Sequence, residues 1–514
     1  MNKKIDLTHP TFHRYLHQWA MCRDCYEGEA AVKSEERCEH YLPMLSGQDS
    51  EDYRLYLSRA VFTSIFATVV NGRIGQVFRR PPKYEFSDEF QMWQDSVSQN
   101  RLDLNGFVKR VLTEIFTVGR CGILVDMDQE GGEPYFALYK AEDIKNWKAE
   151  RGELLGCSLK ESPVEETYDE DEGYMIHHAE VCRYLSLNDE GIYQQEVYKR
   201  DKKTGEMELQ ETITPTINGM PMTFIPFTFI NTNDISEGVT KPPLFDLSAV
   251  NLAHYRNSAD YEQILHMTAI PTPYGTGLDD GESLETIGAT HFKALRNENA
   301  KLGLLEFSGQ GASAIKDSME DKMGHMAVLG GAIVARRRGQ VETAETARIR
   351  SASENSLLET ICDSVEQGIE NALKHVSSWM GWSDEVLVTL NRDFINDQFD
   401  AQTLTAVNQA EMTGVLSREA AFELRKRMEV YPENWTFQQE KDLIETNSEG
   451  QEEAPEEEGP QEAPEHNMDP RSHVQEQNGK FVVFDAKGNQ VNSFDSKEEA
   501  EQYAIKNHEA LMNG

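Results

Sequence analysis

The sequence predicts an α+β protein whose helices and strands fall in separate blocks. Three observations predict it. Apolar residues recur at helical spacing through most of residues 9–120. Residues 121–233 change to short apolar runs bounded by turn signals. From 243 onward the chain returns to long helical stretches, broken by Pro271 and Pro273 and then by Gly330-Gly331.

In the first block, Pro10 opens a helix along which Phe12, Tyr15, Leu16 and Trp19 share a face. Ser50 followed by Glu51 and Asp52 starts another, since acids favour the positive end of the helix dipole. Tyr53, Tyr56, Leu57, Ala60, Val61, Ile65 and Val69 predict that this helix continues to about Gly72 or Gly75. Further helices are expected from Ser87 and over 104–118. In the second block, strands are expected at 121–126, 135–139, 154–159, 180–187, 192–199, 206–212 and 222–230. Asn188-Asp189 and Thr204-Gly205 supply turns, and the whole reads as an antiparallel meander.

The third block begins with a helix over 244–268, about 37 Å long at 1.5 Å per residue. A compact segment follows to about Gln310, and a second helix is expected over 312–329. Gly330 to Gly339 holds Arg336-Arg337-Arg338 between glycines and reads as a basic loop joining two helices. The next helix, 343–380, carries the face Leu358, Ile361, Val365, Ile369, Ala372, Val376 and Trp379. A strand at 386–390 and helices at 400–413 and 417–428 follow. Residues 442–470 hold 11 acids, four prolines and no Lys or Arg, which predicts a disordered acidic linker. Beyond it, a hairpin around Lys487-Gly488-Asn489 and the capping box Ser496-Lys-Glu-Glu499 predict a ββα module.

The chain has 514 residues, enough for two to four structural units. Its net charge is -39, from 50 Lys+Arg against 89 Asp+Glu, and its mean hydropathy is -0.60. A protein that grips the DNA backbone needs clustered cations, so tight general DNA binding is excluded for the bulk of the chain. The longest uncharged run, Thr214 to Asn233, contains three prolines and reads as strands, so no membrane span is expected. The start, Met1 to Asp6, lacks the apolar run of a secretory leader, so none is expected. Seven scattered cysteines fit a reducing compartment.

Cys22, Cys25, Cys38 and His40 offer thiolate and imidazole ligands for a tetrahedral zinc site, with His13 and His17 one helical turn apart nearby. Against this, Cys22 and Cys25 fall inside a helical pattern and no second CxxC follows. Packing cysteines are the favoured reading, and neither metal nor cofactor is expected. No phosphate-binding GxxxxGK[ST] occurs, and no GxSxG. The acid run Asp169 to Glu172 reads as solvated loop charge rather than a cation site. Arg336, Arg337 and Arg338 suit phosphate oxygens, and equally suit pairing with Glu342 or Glu345. Trp147, Trp379 and Trp382 read as packing anchors. A metal-dependent DNA-processing enzyme and a capsid scaffold or adaptor without a channel are the alternatives. The first would need acids on adjacent strand ends, whereas the acid clusters here lie in turns and linkers.

Several stretches resemble a portal family of tailed bacteriophages long catalogued as a domain of unknown function. They are Tyr41-Leu42-Pro43 to Gln48, Tyr53 to Phe62, Gly75 to Pro82, Gly119 to Asp126, Ala141 to Trp147, Pro243 to Arg256 and Ala344 to Arg348. The resemblance spans roughly residues 9–440. It implies a phage portal fold with a helical and β wing (1–242), a stem helix (243–269), a small clip (270–311) and a second stem helix (312–330). A tunnel loop (331–342), a long wing helix and strand (343–395) and a helical crown (396–446) would follow. The acidic linker (447–478) and the C-terminal ββα appendage (479–514) lie outside it. It further implies a non-enzymatic virion protein, a homo-oligomeric ring of about twelve subunits at one capsid vertex. Double-stranded DNA would pass through the ring. Its partners would be the terminase packaging ATPase, the major capsid protein and a tail adaptor, with no membrane. Arg336, Arg337 and Arg338 would then lie nearest the DNA.

Overall fold

The computed structural model describes residues 5, 7–127, 132–169, 173–269, 272–277, 299–305, 310–331, 344–394, 401–428, 430–432, 434–449, 473–477, 480–485, 489–507 and 510–511. Helix and strand are both abundant and segregated, so the chain is α+β. It divides into two compact units, Met1–Asn396 and Asp397–Gly514.

The first unit opens with α1 (Pro10–Glu27), α2 (Glu29–Val32), α3 (Cys38–Tyr41), α4 (Ser50–Arg59) and α5 (Ile65–Val77). Strand β1 (Lys83–Glu85), α6 (Asp88–Trp93) and α7 (Leu104–Val118) follow. The start of α4 is as the sequence predicts: Asp49 accepts from the Glu51 and Asp52 N–H groups, and both acids sit in the first turn. The single helix expected from Ser50 to beyond Val69 is a correction, because the chain is extended at 60–64 between α4 and α5. The freed backbone groups have partners. Lys33 donates to the Ala60 carbonyl, the Val61 N–H donates to Ser258, and Asn251 donates to the Thr63 carbonyl.

The β region is two sheets rather than one meander. β2 (Arg120–Met127), β3 (Pro134–Lys140) and β13 (Phe227–Asn231) form an antiparallel sheet in the order β13-β2-β3. The other sheet has the order β10-β9-β8-β5-β4. It is built from β4 (Ile144–Glu150), β5 (Glu153–Glu161), β8 (Val181–Leu187), β9 (Tyr193–Arg200) and β10 (Met207–Ile213). Because β5 pairs directly with β8, the intervening β6 (Val164–Asp169) and β7 (Gly173–His178) make a separate two-stranded ribbon. Its base is closed by the Ala179 N–H on the Pro163 carbonyl at 2.9 Å. A two-residue ladder joins β11 (Thr216–Ile217) and β12 (Met220–Pro221). The expected strand over 222–230 starts only at Phe227, after Pro226, which lacks an N–H to donate.

The chain then forms α8 (Phe245–Ala269), the antiparallel pair β14 (Thr272–Thr276) and β15 (Lys301–Leu305), and α9 (Gln310–Gly330). The 37-residue α10 (Ala344–Met380) follows, and β16 (Leu387–Thr389) pairs with β1. The face predicted on α10 is its buried face: Leu358, Ile361, Val365, Ile369, Ala372 and Val376 are sealed, and Trp379 nearly so. Each such side chain contributes about 1.5–3 kcal/mol of burial before entropy is charged. This face lies on β13, closely enough that Gly368 has Ile230 against it.

The second unit holds α11 (Ala401–Met412), α12 (Arg418–Arg427) and α13 (Phe437–Glu449). It also holds β17 (Val474–Gln477), β18 (Lys480–Phe484), β19 (Gln490–Phe494) and α14 (Lys497–Lys506). Two expectations are corrected here. The segment taken as acidic linker is helical to Glu449, because Lys441 pairs with Glu445 one turn on and Phe437 packs edge-on against Phe422. The ββα module is βββα: β17 adds to β18, inside the stretch assigned to the linker. A small core of Val483, Ala500, Ala504 and Leu511 joins that sheet to α14. The remainder of the acidic segment, 450–472, lies outside the described residues.

Candidate channel-forming hairpin

Helices α8 and α9 are antiparallel neighbours. Asn257 on α8 donates to Ser318 on α9 at 3.0 Å, while His254, a turn earlier, feels the charge of Lys322, a turn later. The two contacts run in opposite order along the two helices, and β14 and β15 continue the out-and-back path. At about 37 and 31 Å the helices form a long hairpin.

The first two thirds of α8 are rooted in the helical block. Leu247, Leu252, Tyr255 and Ala259 are buried, and so are the polar Ser248, Asn251, His254 and Ser258. This distribution explains why α8 shows little amphipathic stripe: it is covered on several sides by α1, α4, α5 and α9. Buried Asn251 and the half-buried Asp260 and Gln263 bind backbone and side chains of those neighbours. Asn251 accepts from the Phe66 N–H at 3.1 Å, Tyr56 donates to Asp260 at 2.6 Å, and Arg59 donates to Gln263 at 2.8 Å. Burial, helped by Lys322, lowers the pKa of His254, so the imidazole is held neutral.

Toward the tip the environment changes. Leu265, Met267 and Tyr274 are exposed, and at the other end of α9 so are Val328 and Leu329. Leu265 and Met267 lie on the last turns of α8, and Tyr274 lies on β14 just beyond it.

The residues singled out in the sequence have separate fates. Cys22 and Cys25 lie on the inner face of α1 and approach Ser248, at 3.7 Å to its hydroxyl and 3.9 Å to its carbonyl. Burial raises Cys22 to about 12 and Cys25 well above the usual thiol range, so both are neutral thiols. Cys38 donates instead to the Glu35 carbonyl at 3.8 Å, and His40 stacks edge-on against Tyr41. Among the described residues no group of three or more His, Cys, Asp and Glu is placed to hold a metal ion. His13 meets Thr8 at 2.6 Å and His17 packs on Phe245. Trp147 and Trp379 are buried, and Trp382 packs edge-on against Phe90 at 5.0 Å. Arg336, Arg337 and Arg338 lie outside the described residues, as does Glu342. No described helix is long and apolar enough to cross a membrane.

Sequence reasoning missed the polar anchors of α8, Asn251 and Asn257, and the buried Arg120. The guanidinium of Arg120 lies over Trp147 at 4.0 Å and Phe229 at 4.8 Å and donates to the Glu237 carbonyl at 2.8 Å. Burial lowers its pKa to about 10. Polar residues within an otherwise buried helical run were the available signal for the asparagines. Nothing in the sequence marks Arg120 as internal.

The fold is that of a two-unit α+β protein whose first unit contains a long helical hairpin. The family model that matches it is a domain of unknown function, DUF4055, over residues 243–380, the stretch from the start of α8 to the end of α10. No curated protein matches the chain. Among solved structures, a chain from the neck of an empty GTA particle, computed with C6 symmetry, is similar at 11% identity. That match has a TM-score of 0.36 and covers 78% of this chain and 98% of that one. A chain from the virion of a native gene transfer agent (GTA) particle is 12% identical, with a TM-score of 0.37, covering 76% and 95%. A third, from the neck of a native GTA particle computed with C12 symmetry, is 11% identical, with a TM-score of 0.35, covering 70% and 89%.

Proposed function

We propose that the chain is a portal subunit. Copies of it would form a ring, of about twelve, at one vertex of a phage-type capsid, through which double-stranded DNA is packaged and ejected. The ring would dock the packaging ATPase first and the tail adaptor later, and the subunit's role is structural. The observation that carries this reading is the α8–α9 hairpin, anchored at its root by buried polar contacts and bearing exposed Leu265, Met267 and Tyr274 toward its tip. Side-by-side packing of such hairpins buries those side chains and lines a tube. The motif resemblance at 243–256 and 344–348 supports the same reading.

On this reading the wing is 1–242 with 343–395, the stem 243–269 with 312–330, the clip 270–311, the tunnel loop 331–342 and the crown 396–446. A net charge of -39 suits a conduit, because a wall that displaced DNA counterions would hold the duplex still. Arg336, Arg337 and Arg338 are assigned to transient phosphate contact.

The test is negative-stain electron microscopy of the purified protein, after light scattering. Rings with a central hole wide enough for duplex DNA are expected. A monomer or dimer that persists at high concentration overturns the reading. Replacing all three arginines by alanine should leave the rings intact and alter DNA packaging or retention. Unchanged packaging removes the loop assignment while leaving the ring.

A further inference from the structure

A cavity of about 620 Å³ opens in the first unit, where the ends of the two sheets meet α10. Its apolar lining combines the half-buried Phe224 and the nearly sealed Phe227 and Phe229 with aliphatic side chains, Leu154 and Leu187 among them. Phe224 stacks on His375 of α10 at 5.3 Å, and Phe227 meets Phe229 edge-on at 4.9 Å. Its charged lining is all of one sign. Glu153, Asp234 and Glu237 contribute carboxylates, and no Lys or Arg is among the lining residues. Asp234 is fixed by its own turn, accepting from the Ser236 N–H at 2.8 Å. Among the described residues neither Glu153 nor Glu237 makes an ion pair; Arg120 takes the backbone carbonyl of Glu237, not a carboxylate oxygen. Burial drops His375 to about 4, so it adds no positive charge at neutral pH.

We propose that this cavity receives an arginine side chain from a basic segment of a partner protein. Phe224, the half-buried ring, accepts the stem and the flat face of a guanidinium, and the carboxylates accept its N–H fork. Arginine fits better than lysine because its group is planar, stacks on rings and binds carboxylates in pairs. The chain's net charge of -39 favours encounter with a cationic partner. The inference does not depend on ring formation.

The test is isothermal titration of the full-length protein with the peptide acetyl-Gly-Arg-Gly amide, and with its lysine and citrulline counterparts. Citrulline keeps the shape and loses the charge. The arginine peptide should bind about tenfold more tightly than the citrulline one, a difference of about 1.4 kcal/mol. The double variant Glu153→Gln with Glu237→Gln, and separately Phe224→Ala, should each weaken the arginine peptide about fivefold or more. Glu208→Gln with Glu211→Gln removes the same charge from β10, away from the cavity, and should leave affinity unchanged. Equal loss in that control shows general charge attraction and overturns the proposal. So does equal binding of the citrulline or lysine peptide, or no saturable binding at millimolar peptide. Thermal melts of each variant identify any that has failed to fold, and the β10 control and the citrulline comparison stand without it.

Discussion

The side chain of Asn251 accepts the Phe66 N–H at 3.1 Å, and through its amide it also donates to the Thr63 carbonyl at 2.9 Å. One residue on α8 thus holds the extended stretch that separates α4 from α5. Asn251→Ala leaves a buried N–H and a half-buried carbonyl without that partner, and should cost about 1–3 kcal/mol in chemical unfolding. Asn251→Asp keeps the acceptor but brings a buried charge, and should be at least as damaging. An alanine variant as stable as the parent would show that the break at 60–64 is set locally.

Arg23 joins α1 to α7 and to the turn at 141–143. It donates to Glu114 at 2.9 and 3.2 Å and to Glu142 at 2.7 and 2.9 Å. Arg23→Met should destabilise by about 3–5 kcal/mol, since it strands two largely buried carboxylates. Adding Glu114→Gln to that variant should recover part of the loss. Additive losses in the double variant would break this account.

Gly368 sits mid-helix in α10, where glycine ordinarily costs about 0.5–1 kcal/mol relative to alanine. Here a Cβ would lie 2.4 Å from Ile230. Gly368→Ala should therefore lower stability, by about 1–3 kcal/mol, and adding Ile230→Ala, which removes both carbons that clash, should recover part of that loss relative to Ile230→Ala alone. A raised melting temperature in Gly368→Ala would show that α10 has room to shift.

His375 is depressed to about 4 by burial, against about 6.5 in an unfolded chain. A base with a lowered folded value contributes stability that is whole above 6.5 and is lost as pH falls toward 4. His254 acts in the same direction. Part of the His375 ring is open to solvent, so its share between pH 7 and 4.5 should be roughly 1–3 kcal/mol. Denaturation of His375→Gln across that range should show a shallower loss than the parent. Parallel profiles would remove His375 from the acid response.

The sequence made the long helices legible because their length and spacing leave little alternative. α8 and α10 begin and end within a residue or two of where the apolar pattern and the flanking Pro and Gly put them. The break at 60–64 was not legible, because local spacing favours helix there and Asn251, nearly two hundred residues on, decides otherwise. The separation of β6 and β7 follows from β5 pairing with β8, which no local pattern encodes. β17 was hidden because Val474 to Gln477 carries one apolar residue beside an acidic tract. Of the candidate hairpin, the two helices could be read, but not the polar contacts that fix their direction.

All seven cysteines are buried as free thiols, and burial raises Cys22 and Cys362 to about 12 and Cys121, Cys25 and Cys157 further. Thiolate is the reactive form, so the folded protein should react only slowly with maleimides, which a labelling time course checks. A cysteine introduced at an exposed position such as Met267 would be labelled almost alone. Spin or fluorescent probes at that site could then report whether hairpins of different copies come together, with no need to remove the native thiols first.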